Sequence, residues 1–119
     1  MAGAVAAMIR IDAMWLAVQP IDMRAGADRL LARVVQVFGA AQAHHGYVFA
    51  NARRTRIKLL VHDGFGVWCA ARRLNLGRFC WPDAHAGITV PQLTREQFDA
   101  LVLGLPWQRL EQMRAITRV

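Results

Sequence analysis

The chain has 119 residues, of which 55% are apolar, and carries fifteen Lys and Arg against eight Asp and Glu, a formal net charge of +7. That length fits one domain able to bury roughly two thirds of its unfolded surface, so a core forms without staples. Its opening, MAGAVAAMIRIDAMW, has no basic stretch before the apolar residues and is interrupted by Arg10 and Asp12, which supports neither a signal peptide nor a membrane span, so a cytoplasmic protein is expected.

Ile9, Ile11, Trp15, Ala17 and Val18 predict an extended segment over residues 8–19, ended by Pro20, with residues 1–7 a dispensable extension. In the following stretch Ala27, Leu30, Leu31, Val34 and Phe38 keep the three-and-four spacing of a helix with one buried face, and Gly39 closes it. His44 and His45 stand in a loop. Adjacent residues point apart and no third ligand is near, so a solvated loop is expected there rather than a metal site.

Residues 46–82 carry most of the charge: Arg53, Arg54, Arg56, Lys58, Arg72, Arg73 and Arg78 against Asp63. This unit reads as four short strands, 47–50, 56–62, 67–74 and 78–81, joined by turns at 51–55, 63–66 and 75–77. Alternate turns of an up-and-down meander lie at one end, which gathers the six arginines there and lets Lys58 extend the basic end along the sheet. Further on, Thr94 and Gln97 occupy capping-box positions, with Leu93 and Phe98 placed for a hydrophobic staple, and predict a helix over 94–104. Pro106 begins a last short helix through Trp107, Leu110 and Met113.

Each candidate chemistry has a structural alternative. The arginine-rich end suits a nucleic acid or another polyanion, whereas an Arg- and Ala-rich composition is also what a GC-rich genome produces. Tyr47, Phe49, Trp68, Phe79 and Trp81 could stack on unpaired bases where exposed, but aromatics in such runs more often form core. Cys69 and Cys80 match no metal-ligand spacing and are expected to be reduced core residues. No nucleophile motif, phosphate loop or zinc motif is present. Asp22 and Asp63 could meet as a metal pair, yet each stands where a turn needs an aspartate, so no catalytic residue, metal or cofactor is expected.

One ordered series of motifs carries a family resemblance: Trp15-Leu16-Ala17, Asp22-Met23-Arg24-Ala25-Gly26-Ala27-Asp28, Gly46-Tyr47-Val48-Phe49, Arg53-Arg54-Thr55-Arg56-Ile57-Lys58-Leu59-Leu60, Asp63-Gly64-Phe65-Gly66, Arg72-Arg73-Leu74, Gly77-Arg78-Phe79 and Trp81-Pro82. From Met8 to Trp107 the chain resembles the small TnpB-type accessory proteins encoded by the second reading frame of IS66-group insertion sequences. His62 departs from the aromatic residue usual before Asp-Gly, and Arg29 from a common glycine. The resemblance implies a part in DNA transposition beside a larger transposase and supplies no catalytic residues.

The expected fold is therefore α+β, one domain over 1–119, with an antiparallel meander covered on one face by helices near 27–38 and 94–104. The expected function is a non-catalytic transposition accessory factor that binds the DNA backbone through Arg53, Arg54, Arg56, Lys58, Arg72, Arg73 and Arg78. The alternative is a protein-interaction module docking on the transposase, and a metal-dependent nuclease is a third, weaker reading.

Overall fold

The computed structural model describes residues 9–83 and 92–110. Five strands form one mixed sheet in the order β4-β3-β2-β1-β5: β1 Ala13–Leu16, β2 His45–Ala50, β3 Arg56–His62, β4 Val67–Arg73 and β5 Gln92–Leu93. Helix α1 spans Ala27–Phe38 and helix α2 Arg95–Val102, so the architecture is α+β.

The central meander forms as its alternation predicts. β2, β3 and β4 pair antiparallel in sequence order, with Tyr47 opposite Leu60 and Leu59 opposite Ala70. The expected extended segment shrinks to β1, which lies parallel to β2 and antiparallel to β5. Parallel pairing requires a long crossover, and α1 supplies it between β1 and β2.

The helices do not share a face. Leu30 and Val34 of α1 pack with Tyr47, Phe49 and Leu60 on one side of the sheet. Phe98, Leu101 and Val102 of α2 pack with Leu16, Val48, Leu59 and Val61 on the other. The reason lies in β2: Tyr47, Val48, Phe49 and Ala50 are all buried, and a strand apolar on both sides needs cover on both.

Residues 78–81 are not a strand. Gly77 adopts a left-handed φ of 81° and turns the chain off the edge of β4. Phe79 and Trp81 then enter the core on the α2 side, where the Trp81 indole donates to the Val18 carbonyl at 3.0 Å. The Trp107 indole donates to the Cys80 carbonyl at 2.7 Å, closing the same layer.

Helix α1 ends, and helix α2 begins, as the sequence indicates, while α2 stops at Val102, short of the expected 104. The Gly39 N–H donates to Val35 O with φ at 86°, a conformation that favours glycine. At the start of α2 the Gln97 N–H donates to Thr94 Oγ1 at 3.1 Å, and the Thr94 N–H donates to Gln97 Oε1 at 2.9 Å. Beyond α2, the Leu110 N–H donates to Trp107 O at 3.2 Å, so a helical turn begins where Pro106 suggests; Met113 and the extension 1–7 lie outside the described residues.

β4 differs from β2 and β3 in being exposed along most of its length. Cys69 is consequently exposed rather than core, and Cys80 is half-buried.

Candidate nucleic-acid interface

The turn joining β2 to β3 is held by Asn51. Its Oδ1 accepts the backbone N–H groups of Thr55 at 2.9 Å and Arg56 at 3.1 Å, while its Nδ2 donates to Thr55 Oγ1 at 3.0 Å. This local hydrogen bonding sets the turn against strand continuation and presents Arg53 and Arg54 on a fixed loop. Arg54 has a φ of 61°, rarely adopted by a residue with a side chain.

Two backbone bonds bring the third turn to the same end. The Leu74 N–H donates to Thr55 O at 3.1 Å, and the Phe79 N–H donates to Arg54 O at 2.7 Å. Arg78 thus follows the path beside Arg54. The geometry of the meander accordingly places Arg53, Arg54, Arg56, Arg72, Arg73 and Arg78 at one end of the sheet.

They divide between its two sides. Arg56 lies directly opposite Arg73, and Lys58 opposite Ala71, so Arg56, Lys58 and Arg73 project on the α1 side. Arg72 is paired with Ile57 and projects on the other side, where its Nε–H donates to the Val102 carbonyl at 2.6 Å. Arg72 therefore closes the C-terminal end of α2 and is turned away from Arg73.

The bonds Leu74 N–H to Thr55 O and Asp63 N–H to Gly66 O fix the phase of the β3–β4 ladder. By alternation Arg56 and Arg73 form a non-hydrogen-bonded pair, the kind in which opposed side chains come closest. Two guanidinium groups so placed repel each other.

An open groove of about 330 Å³ runs beside this pair, lined by Met23, Arg56, Lys58, Ala71 and Arg73 among others. Met23 is an addition that spacing in the sequence did not indicate. It arrives because the chain leaving β1 continues along β2, with the Ile21 N–H donating to Ala50 O at 3.0 Å. Lys58 Nζ donates to Ala25 O at 3.0 Å and ties that loop to the sheet.

The aromatic residues separate clearly. Tyr47, Phe49, Phe79 and Trp81 are buried, and Trp68 is exposed at the end of the sheet away from the arginines. Base stacking within the basic end therefore has no aromatic to use.

Asp22 and Asp63 hold turns, and His62 and His45 are engaged from the strands. The Asp22 carboxylate accepts Arg24 Nη2 at 2.7 Å and the Arg24 backbone N–H at 2.9 Å. The Arg24 guanidinium, and then its backbone N–H, hold the Asp22 carboxyl down at about 2. Asp63 Oδ1 accepts the N–H groups of Phe65 and Gly66, each at 2.8 Å, which lowers its carboxyl below the ordinary range. His62 Nε2 lies 2.7 Å from Ala41 O, and His45 Nδ1 accepts the Trp15 indole N–H at 3.0 Å. Among the described residues no three His, Cys, Asp or Glu converge as a metal site, and no helix is long and apolar enough to cross a membrane.

Comparison with known proteins agrees with the motif series. The profile of the TnpB_IS66 family, described as IS66 Orf2-like protein, matches residues 12–112. The uncharacterized protein y4hO of Sinorhizobium fredii (strain NBRC 101917 / NGR234) is 29% identical over 107 residues, covering 89% of this chain and 91% of that protein. The uncharacterized protein y4jC of the same strain is 32% identical over 98 residues, covering 81% of each chain. No solved structure matches. With its motifs in order and nearly its whole length aligned, the chain belongs to the IS66 Orf2-like family, transposition-associated accessory proteins of insertion sequences.

Proposed function

We propose that this protein is a non-catalytic accessory factor that binds the DNA backbone during transposition through the basic end of its sheet. The observation that carries this reading is the Arg56–Arg73 pair. Like charges in the closest kind of cross-strand pairing destabilise an isolated sheet, and an anion seated between them reverses the sign of that contribution. Phosphates spaced along a duplex are such anions, and Arg53, Arg54 and Arg78 lie at the same end to meet further ones. Backbone contacts of this kind set affinity without reading base sequence. The non-catalytic part of the reading is supported by Asp22 and Asp63, each committed to a turn.

The test is a titration of the purified protein with duplex DNA from the element's terminus and with unrelated duplex, each across a range of salt, and separately with the transposase. The expected result is affinity for both duplexes that falls linearly on a log–log plot against salt, with no strand cleavage on adding divalent metal. Affinity independent of salt, or binding to the transposase with none to DNA, overturns it; the second outcome makes the arginines a docking surface for acidic protein.

A further inference from the structure

Among the described residues β4 is an edge strand with no neighbour on its outer side, and six of its seven residues are exposed. Natural edges are usually protected by proline, a bulge, an inward-pointing charge or a covering segment. Val67-Trp68-Cys69-Ala70-Ala71 has no proline, bulge or charge and, among the described residues, no covering segment; the charges of β4 are confined to its end at Arg72 and Arg73, and Trp68 is 48% exposed. The ladder phase defines what the edge offers. Gly66, Trp68, Ala70, Arg72 and Leu74 direct their backbone groups at β3, so Val67, Cys69, Ala71 and Arg73 direct theirs outward.

Two side chains just beyond the ends of this strand are exposed far more than apolar residues ordinarily are. Phe65, before β4, is 101% exposed, and Leu76, after it, is 90% exposed. They stand at opposite ends of β4, too far apart to cover each other within one chain. A second copy, aligned antiparallel along the whole of β4, brings Phe65 of each molecule beside Leu76 of the other.

We propose that the protein forms a homodimer by antiparallel pairing of β4 with β4, centred on Ala70, which joins two sheets into one. In this register Val67 pairs with Arg73 of the second copy and Cys69 with Ala71, which uses every outward backbone group of the strand. Trp68 then lies opposite Arg72 of the second copy, where the indole face and the guanidinium attract. The two Arg73 residues sit about 20 Å apart, roughly twice the screening length at moderate salt, so the positive ends do not oppose association. A parallel arrangement stacks Arg72 and Arg73 of the two copies side by side and leaves Phe65 and Leu76 uncovered. The pairing leaves the turns at Arg53, Arg54 and Arg78 open and does not depend on DNA binding.

The test is sedimentation equilibrium of the full chain, with circular dichroism to confirm that each variant is folded. The parent is expected to be a dimer. Phe65→Ser with Leu76→Ser, both in exposed turns, is expected to weaken association by at least about tenfold. Ala71→Pro removes an outward N–H that the monomer's own ladder does not use, and is expected to give a folded monomer. Under oxidation, Ala70→Cys in a Cys69→Ser background is expected to yield a disulfide-linked dimer, because residues at the two-fold axis come within reach of each other. A parent that stays monomeric up to its solubility overturns the proposal. So does a dimer unaffected by the Phe65/Leu76 substitutions and by Ala71→Pro, or one that crosslinks through Cys69 of the parent and not through Ala70→Cys.

Discussion

Arg72 donates its Nε–H to the Val102 carbonyl at 2.6 Å, while Arg73, its neighbour in β4, is turned to the other side of the sheet opposite Arg56. Two adjacent arginines thus have different work. Arg72→Ala removes a charge-assisted bond at the end of α2 and is expected to lower stability by about 1 kcal/mol, with little change in DNA affinity. Arg73→Ala is expected to leave stability within about half a kcal/mol of the parent and to reduce DNA binding. Thermal unfolding and fluorescence anisotropy on the two single variants check both.

The salt dependence of binding locates the footprint. Arg56→Ala and Arg73→Ala are each expected to lower the slope of log affinity against log salt by about one unit, the loss of one phosphate contact. Arg109→Ala, exposed near the end of the described chain, is expected to leave the slope unchanged. Equal slopes in all three variants place the contacts elsewhere.

Arg54 is held in a left-handed conformation, φ 61°, that costs a residue with a Cβ roughly 1 kcal/mol. Arg54→Gly is therefore expected to raise the unfolding temperature while weakening DNA binding. Stability and affinity moving in opposite directions marks a residue retained for its charge.

The meander, the α2 capping box and the shared end of two turns were all legible in the sequence, because each is set by local chemistry: alternation, a threonine with a glutamine three residues on, and Asn or Gly at the turn centres. What was not legible depends on partners distant in the chain. Alternating aromatics at Phe79 and Trp81 look alike whether they belong to a strand or to an irregular segment pressed on a core; the bond from the Phe79 N–H to Arg54 O, not any local preference, decides it. The expectation of helices on one face missed what the burial of Tyr47 through Ala50 requires, a strand apolar on both sides and covered on both. The separation of Arg72 from Arg73 follows from strand alternation, but the role of Arg72 required the position of α2.

Thr94→Ala removes the hydroxyl that accepts the Gln97 N–H and is expected to cost about 1 kcal/mol, read by denaturant unfolding. Thr94→Ser retains the acceptor and is expected to lose only a small part of this.

The acid limb of the stability curve reports the Asp22–Arg24 contact. The folded-state pKa of Asp22, about 2, lies below its ordinary value of 3.8, so this contribution is present above that value and is lost as pH falls toward about 2. Asp22→Asn is expected to flatten the unfolding profile over that window and to lower stability at neutral pH, where the parent holds the full contribution, without adding a slope there. Carboxyl titration by NMR, with Asp22 ending well below the other aspartates, provides the direct check.

The pairing of Met14 with Leu93 makes neighbours of the strands nearest the two ends of the described chain. A nascent chain that has not yet delivered residues 92–102 from the ribosome has β1 open along its outer edge and Leu16, Val48 and Leu59 without their helix. The meander can pair early, but the sheet as a whole closes only once β5 and α2 have been delivered. A fragment cut before Thr94 should accordingly be sticky and short-lived in a cell, and a reporter fused after α2 should signal only molecules whose sheet has had the chance to close.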